Sequence, residues 1–261
     1  MDTRFAALAA CALLLIACLL RWRRGDGPPA LLCALAGMLA AALAIDGAIG
    51  APGGLRLGLG EVLALYAWLV VAVQMPLRQR LHLAPLDLVV WGAAALLIAL
   101  GLLWPQAAAT GVTELSGALR LHILLSLLAW AVLTLATAQA AAGTWLAHRL
   151  RAHREPRITV PLIALERSAF RLIAAGWVLL LGGIATGFLF VEDFLAQHLV
   201  HKAAFTIMAA VLFGTLLVGQ TLRGWRGDRA LRWVLGAWVV LFIGYAGVKF
   251  ILEYGLARSW T

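Results

Sequence analysis

Eight apolar stretches, each long enough to cross a bilayer, divide this chain, and its arginines fall almost entirely on alternate connections between them. The stretches run at about 5–22, 29–49, 58–77, 84–104, 118–147, 164–190, 198–222 and 231–255. With a helical rise of about 1.5 Å per residue, ~18–30 residues cover a ~30 Å hydrocarbon layer, the longest of them tilted or protruding. The chain has 261 residues, 64% hydrophobic and 13% charged, so almost no polar sequence remains for a folded domain outside the bilayer. The expected fold is therefore all-α: a polytopic integral membrane protein of eight transmembrane helices.

The charges orient it. The connections after the first, third, fifth and seventh stretches carry Arg21, Arg23 and Arg24; Arg78 and Arg80; Arg149, Arg151, Arg154 and Arg157; and Arg223, Arg226, Arg229 and Arg232. The opposite connections carry Asp46, Glu61, Glu114, Glu192 and Asp193, with only Arg56 and Arg120 against them. The positive-inside rule puts the arginine-rich loops in the cytoplasm and both termini outside, as in a multi-pass protein of the cell inner membrane. A net charge of +9 on short juxtamembrane turns, without a basic face interleaved with aromatics, points to anionic lipid headgroups and away from nucleic acid. In the first stretch the positive cluster follows the apolar run instead of preceding it. That is the wrong polarity for a cleaved leader, so this stretch is expected to remain as a helix. Cys11, Cys18 and Cys33 lie inside expected spans without CxxC spacing, which predicts packing rather than a redox pair or zinc site.

All connections are short, so the chain reads as a single transmembrane domain, 1–261. Within it, 1–104 is Ala/Leu/Gly-rich and polar-poor, an accessory four-helix half. The half at 118–255 holds five of the six histidines and both lysines, and is the expected functional core. No internal repeat is evident, which argues against a transporter of inverted halves. Gly50–Gly60 reads as an irregular external turn, the GDG at 25–27 as an ordinary turn beside two prolines, and GWRGDRALRW at 224–233 as a helix-to-helix turn whose Gly224 and Gly227 allow tight geometry. Pro156 and Pro161 break the fifth connection, after which Glu166 is expected in the first turn of the sixth helix, near its partly positive end.

Three imidazoles and an ammonium then fall at one external level. His122 starts the fifth span in an apolar setting, and His198 and His201, spaced i,i+3, share a face at the start of the seventh beside Lys202. Imidazole ligates haem iron, and a nearby cation pairs with a propionate. The blander alternatives are a hydrogen-bonded packing histidine at 122, interfacial polar residues at 198 and 201, and a snorkelling Lys202. Lys249 and Glu253, i,i+4, are expected to pair with each other. His82, His148 and His153 lie among arginines in cytoplasmic connections and read as solvated. Of the eleven tryptophans, Trp22, Trp104, Trp145, Trp225, Trp233 and Trp260 sit near span ends as an aromatic belt. Trp130, two turns below His122 on the same face, is placed to wall an apolar pocket. No nucleophile elbow, catalytic carboxylate pair or nucleotide-binding glycine loop is present, and no enzymatic turnover is expected.

Four segments of the second half, HILLSLLAW at 122–130, ERSAFRLIAAGWVLLLGGIATGFLF at 166–190, HKAAF at 201–205 and GWRGDRALRWVLGAWVVLFIGYAGVKF at 224–250, resemble the cytochrome c assembly family, with its CcsA, ResC and HemX-like members. In haem-handling relatives an external histidine at the start of the corresponding helix ligates haem, and His122 matches it. Lys202 resembles the lysine of a tryptophan-rich haem-accepting motif, yet VEDFLAQHLVH, between Phe190 and Lys202, contains no Trp. Closer relatives commonly carry His just before GWRG, where this chain has Gln220 and Leu222. The resemblance implies haem b held or presented in cytochrome assembly at the outer face. In that arrangement His122 and His201 (or His198) ligate iron, Lys202 holds a propionate, and Trp130 and Phe205 form apolar walls. It also implies a membrane-protein partner of cytochrome maturation. The departures leave a second reading open, a non-catalytic membrane scaffold or regulatory subunit on a degenerate haem-handling fold; a small-molecule transporter is a more distant third.

Overall fold

Each apolar stretch becomes a helix because a backbone out of water must satisfy its own hydrogen bonds. The computed structural model describes residues 3–51, 54–55, 58–103, 116–153, 160–190 and 197–247. Its helices are α1 (Thr3–Arg24), α2 (Pro28–Ile49), α3 (Leu59–Leu77), α4 (Asp87–Leu103), α5 (Gly117–Arg151), α6 (Leu162–Phe190), α7 (Gln197–Arg223) and α8 (Gly227–Phe242). A π-helical turn, Ile243–Gly247, continues α8. Seven helices, α1 to α7, contain segments long and apolar enough to span a membrane. The eighth expected span is helical from Gly227 to Gly247, and its remainder, 248–255, lies outside the described residues. The protein is thus an all-α, polytopic membrane protein embedded in lipid through seven to eight long apolar helices. Leu189 and Leu222 are 73% and 79% exposed, an outward apolar surface suited to hydrocarbon rather than water.

Two glycines end helices in the same way. Gly25 (φ 74°) donates its N–H to the Arg21 carbonyl, and Gly224 (φ 64°) to that of Gln220, each a left-handed C-cap that costs a residue with a Cβ far more. The expected turns at GDG and GWRG are therefore formed. Two local expectations change. Gly50–Ala51 and Gly54–Leu55 pair as a short antiparallel ribbon, Gly50 opposite Leu55, where an irregular turn was expected. α6 starts directly after Pro161, so Glu166 falls in its second turn and no acidic residue occupies the first.

The chain groups into two compact units. The first contains α1, α2, α3 as far as Pro76, and α4. α1 packs along α2 and α4, and Gly101 of α4 meets the Gly60 carbonyl of α3 so closely that a Cβ would come within 2.9 Å of it. A polar knot forms at the arginine-bearing end of α1. Asp87, fully buried, accepts from Arg21 Nε (3.0 Å) and Gln74 Nε2 (3.1 Å).

The second unit comprises α5 to α8 and the Leu77–Pro85 connection. α5 contacts α6, α6 contacts α7, α7 contacts α8 and α8 returns to α5, a closed ring in which α5 and α7 occupy opposite corners. The α5–α6 interface is the most extensive. Gly176 and Gly183, seven residues apart, meet Leu133 and Ser126, also seven apart, the small-residue spacing that lets antiparallel helices approach closely. Gln139 on α5 anchors the connection to this ring: its Nε2 lies 3.2 Å from both the Leu81 and His82 carbonyls and 2.9 Å from Ser168 Oγ. His82 itself sits in the left-handed region at φ 54°.

Candidate functional site

His122 projects from the second turn of α5, a helix whose start is capped by Ser116 Oγ accepting from the Leu119 N–H at 3.3 Å. Its ring crosses to α6, where Nδ1 lies 3.0 Å from the Gly183 carbonyl and 3.2 Å from Thr186 Oγ1. A carbonyl only accepts, so Nδ1 carries the proton and donates to Gly183. The Thr186 hydroxyl spends its own proton on the Gly182 or Gly183 carbonyl (2.9 and 3.0 Å) and offers His122 a lone pair. With Nδ1 as the donor, the in-plane lone pair of a neutral ring would lie on Nε2, the tautomer in which metal-ligating histidines are commonly held by a backbone carbonyl.

The half-buried imidazole opens onto a cavity of about 250 Å³ enclosed by all four helices of the ring. α5 contributes Ser126 and Trp130, α6 Gly183 and Gly187, α7 Ala203 and Thr206, and the end of α8 Gly244 and Tyr245. The wall is mostly apolar. Trp130, 3% exposed, lies tilted against Tyr245, with ring centroids 4.8 Å apart, and against Phe242 at 6.1 Å. Below it Trp238 stacks on Phe242 and donates to Thr134 Oγ1 at 2.7 Å, tying α8 to α5. The π-helical turn widens the backbone at this level, a deviation common where helices carry function.

The site residues expected from sequence distribute as follows. His122 and Trp130 line the same cavity, one above the other on α5. Phe205 instead packs on Gly244, where an added Cβ would come within 2.5 Å of its own, and Ala203, Thr206 and Ile207 are the α7 residues on the cavity. His198, His201 and Lys202 belong to the first two turns of α7, whose backbone leads directly into Ala203; their side chains are outside those described. Lys249 and Glu253 also lie outside the described residues. Among the described residues no group of three or more His, Cys, Asp or Glu side chains is gathered to hold a metal ion. His148, expected to be solvated, bonds Asp228 through Nε2 at 2.8 Å while both side chains stay about half exposed.

Sequence reasoning missed Thr186, Gly183 and Tyr245. The GG-x-x-T run at 182–186 carried a signal, because glycine bares the helix carbonyls and a threonine one turn on can share them. Tyr245 carried none, since its approach to Trp130 depends on the π-helical turn.

The donor chemistry suits an axial haem ligand. In His122 the ring presents one oriented imidazole, backed by a carbonyl and bordered by aromatic and small residues. The volume falls below the ~300–1,000 Å³ of enclosed ligand sites, so a porphyrin would be only partly housed.

The profile of the family described as cytochrome C assembly protein matches residues 57–255. The inner membrane protein YpjD of Escherichia coli K12 is 27% identical over 236 residues, covering 89% of this chain and 88% of its own, and its counterpart in E. coli O157:H7 aligns equally well. An uncharacterized 28.8 kDa protein of Azospirillum brasilense is 33% identical over 139 residues, about half of each chain. No solved structure gives a significant match.

Proposed function

The chain belongs to the cytochrome C assembly protein family, and from that membership and the His122 cavity we propose that it holds or presents haem at the outer face of the inner membrane. Its role in cytochrome c assembly and haem handling at the membrane comes with the family, and its long apolar helices make it a multi-pass inner-membrane protein. The finer reading is an eight-helix bundle with both termini external, whose α5–α8 unit is the functional core and α1–α4 its accessory half.

The observation that carries this reading is the Nδ1–H of His122 committed to the Gly183 carbonyl, which makes Nε2 the basic nitrogen of a ring lining an apolar cavity. When bound, haem b would supply an iron that imidazole can ligate. His122 would hold it together with His201 or His198, Lys202 would pair with a propionate, and Trp130 would keep water away. The role asks these residues to bind, orient and shield, with no catalytic turnover, and a membrane-protein partner of cytochrome maturation is the recipient.

Purification in mild detergent, a visible spectrum and a pyridine haemochrome assay test it. Stoichiometric haem with a Soret band is expected in the wild type. His122→Ala should lose most of it, with His201→Ala losing more than His198→Ala. Full occupancy and an unchanged spectrum in the His122 variant would return that residue to a packing role. The second reading, a scaffold on a degenerate haem-handling fold, draws on the cavity's modest volume and on Gln220 standing where closer relatives commonly have His. Repeated absence of haem after expression with ample haem would favour it.

A further inference from the structure

At the arginine-rich end of the second unit, α6 and α7 border another cavity, of about 570 Å³, unrelated in its lining to the His122 site. Arg167 and Arg171 of α6 line it together with Arg226 from the turn between α7 and α8, and Glu166 is its only carboxylate. Among the described residues no carboxylate lies within ion-pairing distance of any of these three arginines. Arg167 and Arg171 are i,i+4, so their like charges share a helix face and repel. Arg171 is nine residues into α6, about 13 Å along the axis from Leu162, which places its stem within the span rather than in the loop. A guanidinium at that depth is costly without a counter-anion or a route to the interface. Deeper in the groove the lining turns apolar, with Ala174 and Val178 facing Leu217. Trp177 closes it there by donating to the Ala210 carbonyl at 2.8 Å and packing on Gly214.

A net charge of +2 at the mouth with a hydrocarbon-lined floor matches one chemical form, an anionic head on an acyl chain. Guanidinium also favours phosphate, which it grips in a bidentate fork. We infer that this groove is a binding site for an anionic phospholipid, its phosphodiester between Arg167, Arg171 and Arg226 and an acyl chain along Ala174, Val178 and Leu217.

The full-length protein in nanodiscs or mild detergent, probed by native mass spectrometry with phosphatidylglycerol and phosphatidylcholine, tests this. The wild type should retain phosphatidylglycerol in preference to phosphatidylcholine. R167Q/R171Q should weaken that retention about 30-fold, the effect of removing two headgroup contacts. R167K/R171K should keep the preference, which guards against misfolding as the cause, and R23Q/R24Q on the exposed end of α1 should leave it unchanged. Equal retention of the two lipids would overturn the site, as would an equal loss in R23Q/R24Q, the mark of general surface attraction. Displacement by water-soluble glycerol phosphate at matched concentration would show a free-anion site instead and would also overturn it. Haem occupancy of R167Q/R171Q should match the wild type, so this result and the His122 assignment stand or fall separately.

Discussion

Asp87 in the first unit and His122 in the second are both polar side chains drawn into an apolar bundle, and they are held in opposite ways. Asp87 is fully buried with a guanidinium on one oxygen and an amide on the other, donors from two other helices converging on it. His122 is only half buried, is held at Nδ1 by α6, and lines a cavity. A carboxylate enclosed by donors locks helices together. A half-buried ring at the border of a cavity does not seal its surroundings in that way.

The largest effect expected of this contrast is at the knot. Asp87→Ala removes the acceptor shared by Arg21 and Gln74 and should lower unfolding stability by about 3–5 kcal/mol, the usual cost of removing one partner of a buried pair. Thermal unfolding in detergent reads the loss, and haem bound per folded molecule should not change; a parallel fall in haem would mean the two units are not functionally separable. Gly176→Ala comes next. Its Cβ would lie 2.7 Å from the Leu133 side chain, so the α5–α6 interface must shift, at about 1–3 kcal/mol, measured in the same way. Thr186→Val should matter less. The Gly183 carbonyl still holds His122, so haem affinity should drop only a few-fold, short of the ~10–100-fold seen when an outer partner is lost entirely. A complete loss of haem in a spectral titration of this variant would show that the hydroxyl, not the carbonyl, sets the tautomer. His148→Ala removes an exposed pair with Asp228 and should cost no more than about 1 kcal/mol. A larger change in melting temperature would make that contact a latch between α5 and α8.

Most helices were legible because a span needs only length and hydrophobicity, both local quantities. The expected 5–22 became Thr3–Arg24, and 198–222 became Gln197–Arg223. The turns at Gly25 and Gly224 were legible for a similar reason, since a left-handed cap is written in a single residue type. Glu166 failed because Pro161 permits a helix to start at once, four residues before the acid that was expected to open it. That His122 and Trp130 border one cavity was readable from helical spacing along α5. Phe205 was not, because a seven-residue stretch of α7 offers several apolar side chains and only the approach of Gly244 decides which one it covers. The buried Asp87 was equally hidden, as a lone acid at a helix start resembles any first-turn residue until Arg21 and Gln74 arrive from elsewhere in the chain.

By itself the sequence determined that this protein lives in a bilayer, which of its segments are helical, and which chemistry it could carry, because hydrophobic length, charge placement and residue type act without reference to distant parts of the chain. Only the tertiary structure decided that α8 closes the ring opposite α6, that a glycine carbonyl sets the histidine tautomer, and that three arginines from two places share one groove. Those outcomes depend on which faces of separate helices meet, and among nearly uniform Leu, Ala and Val surfaces that choice is made by a few glycines and aromatics in contact.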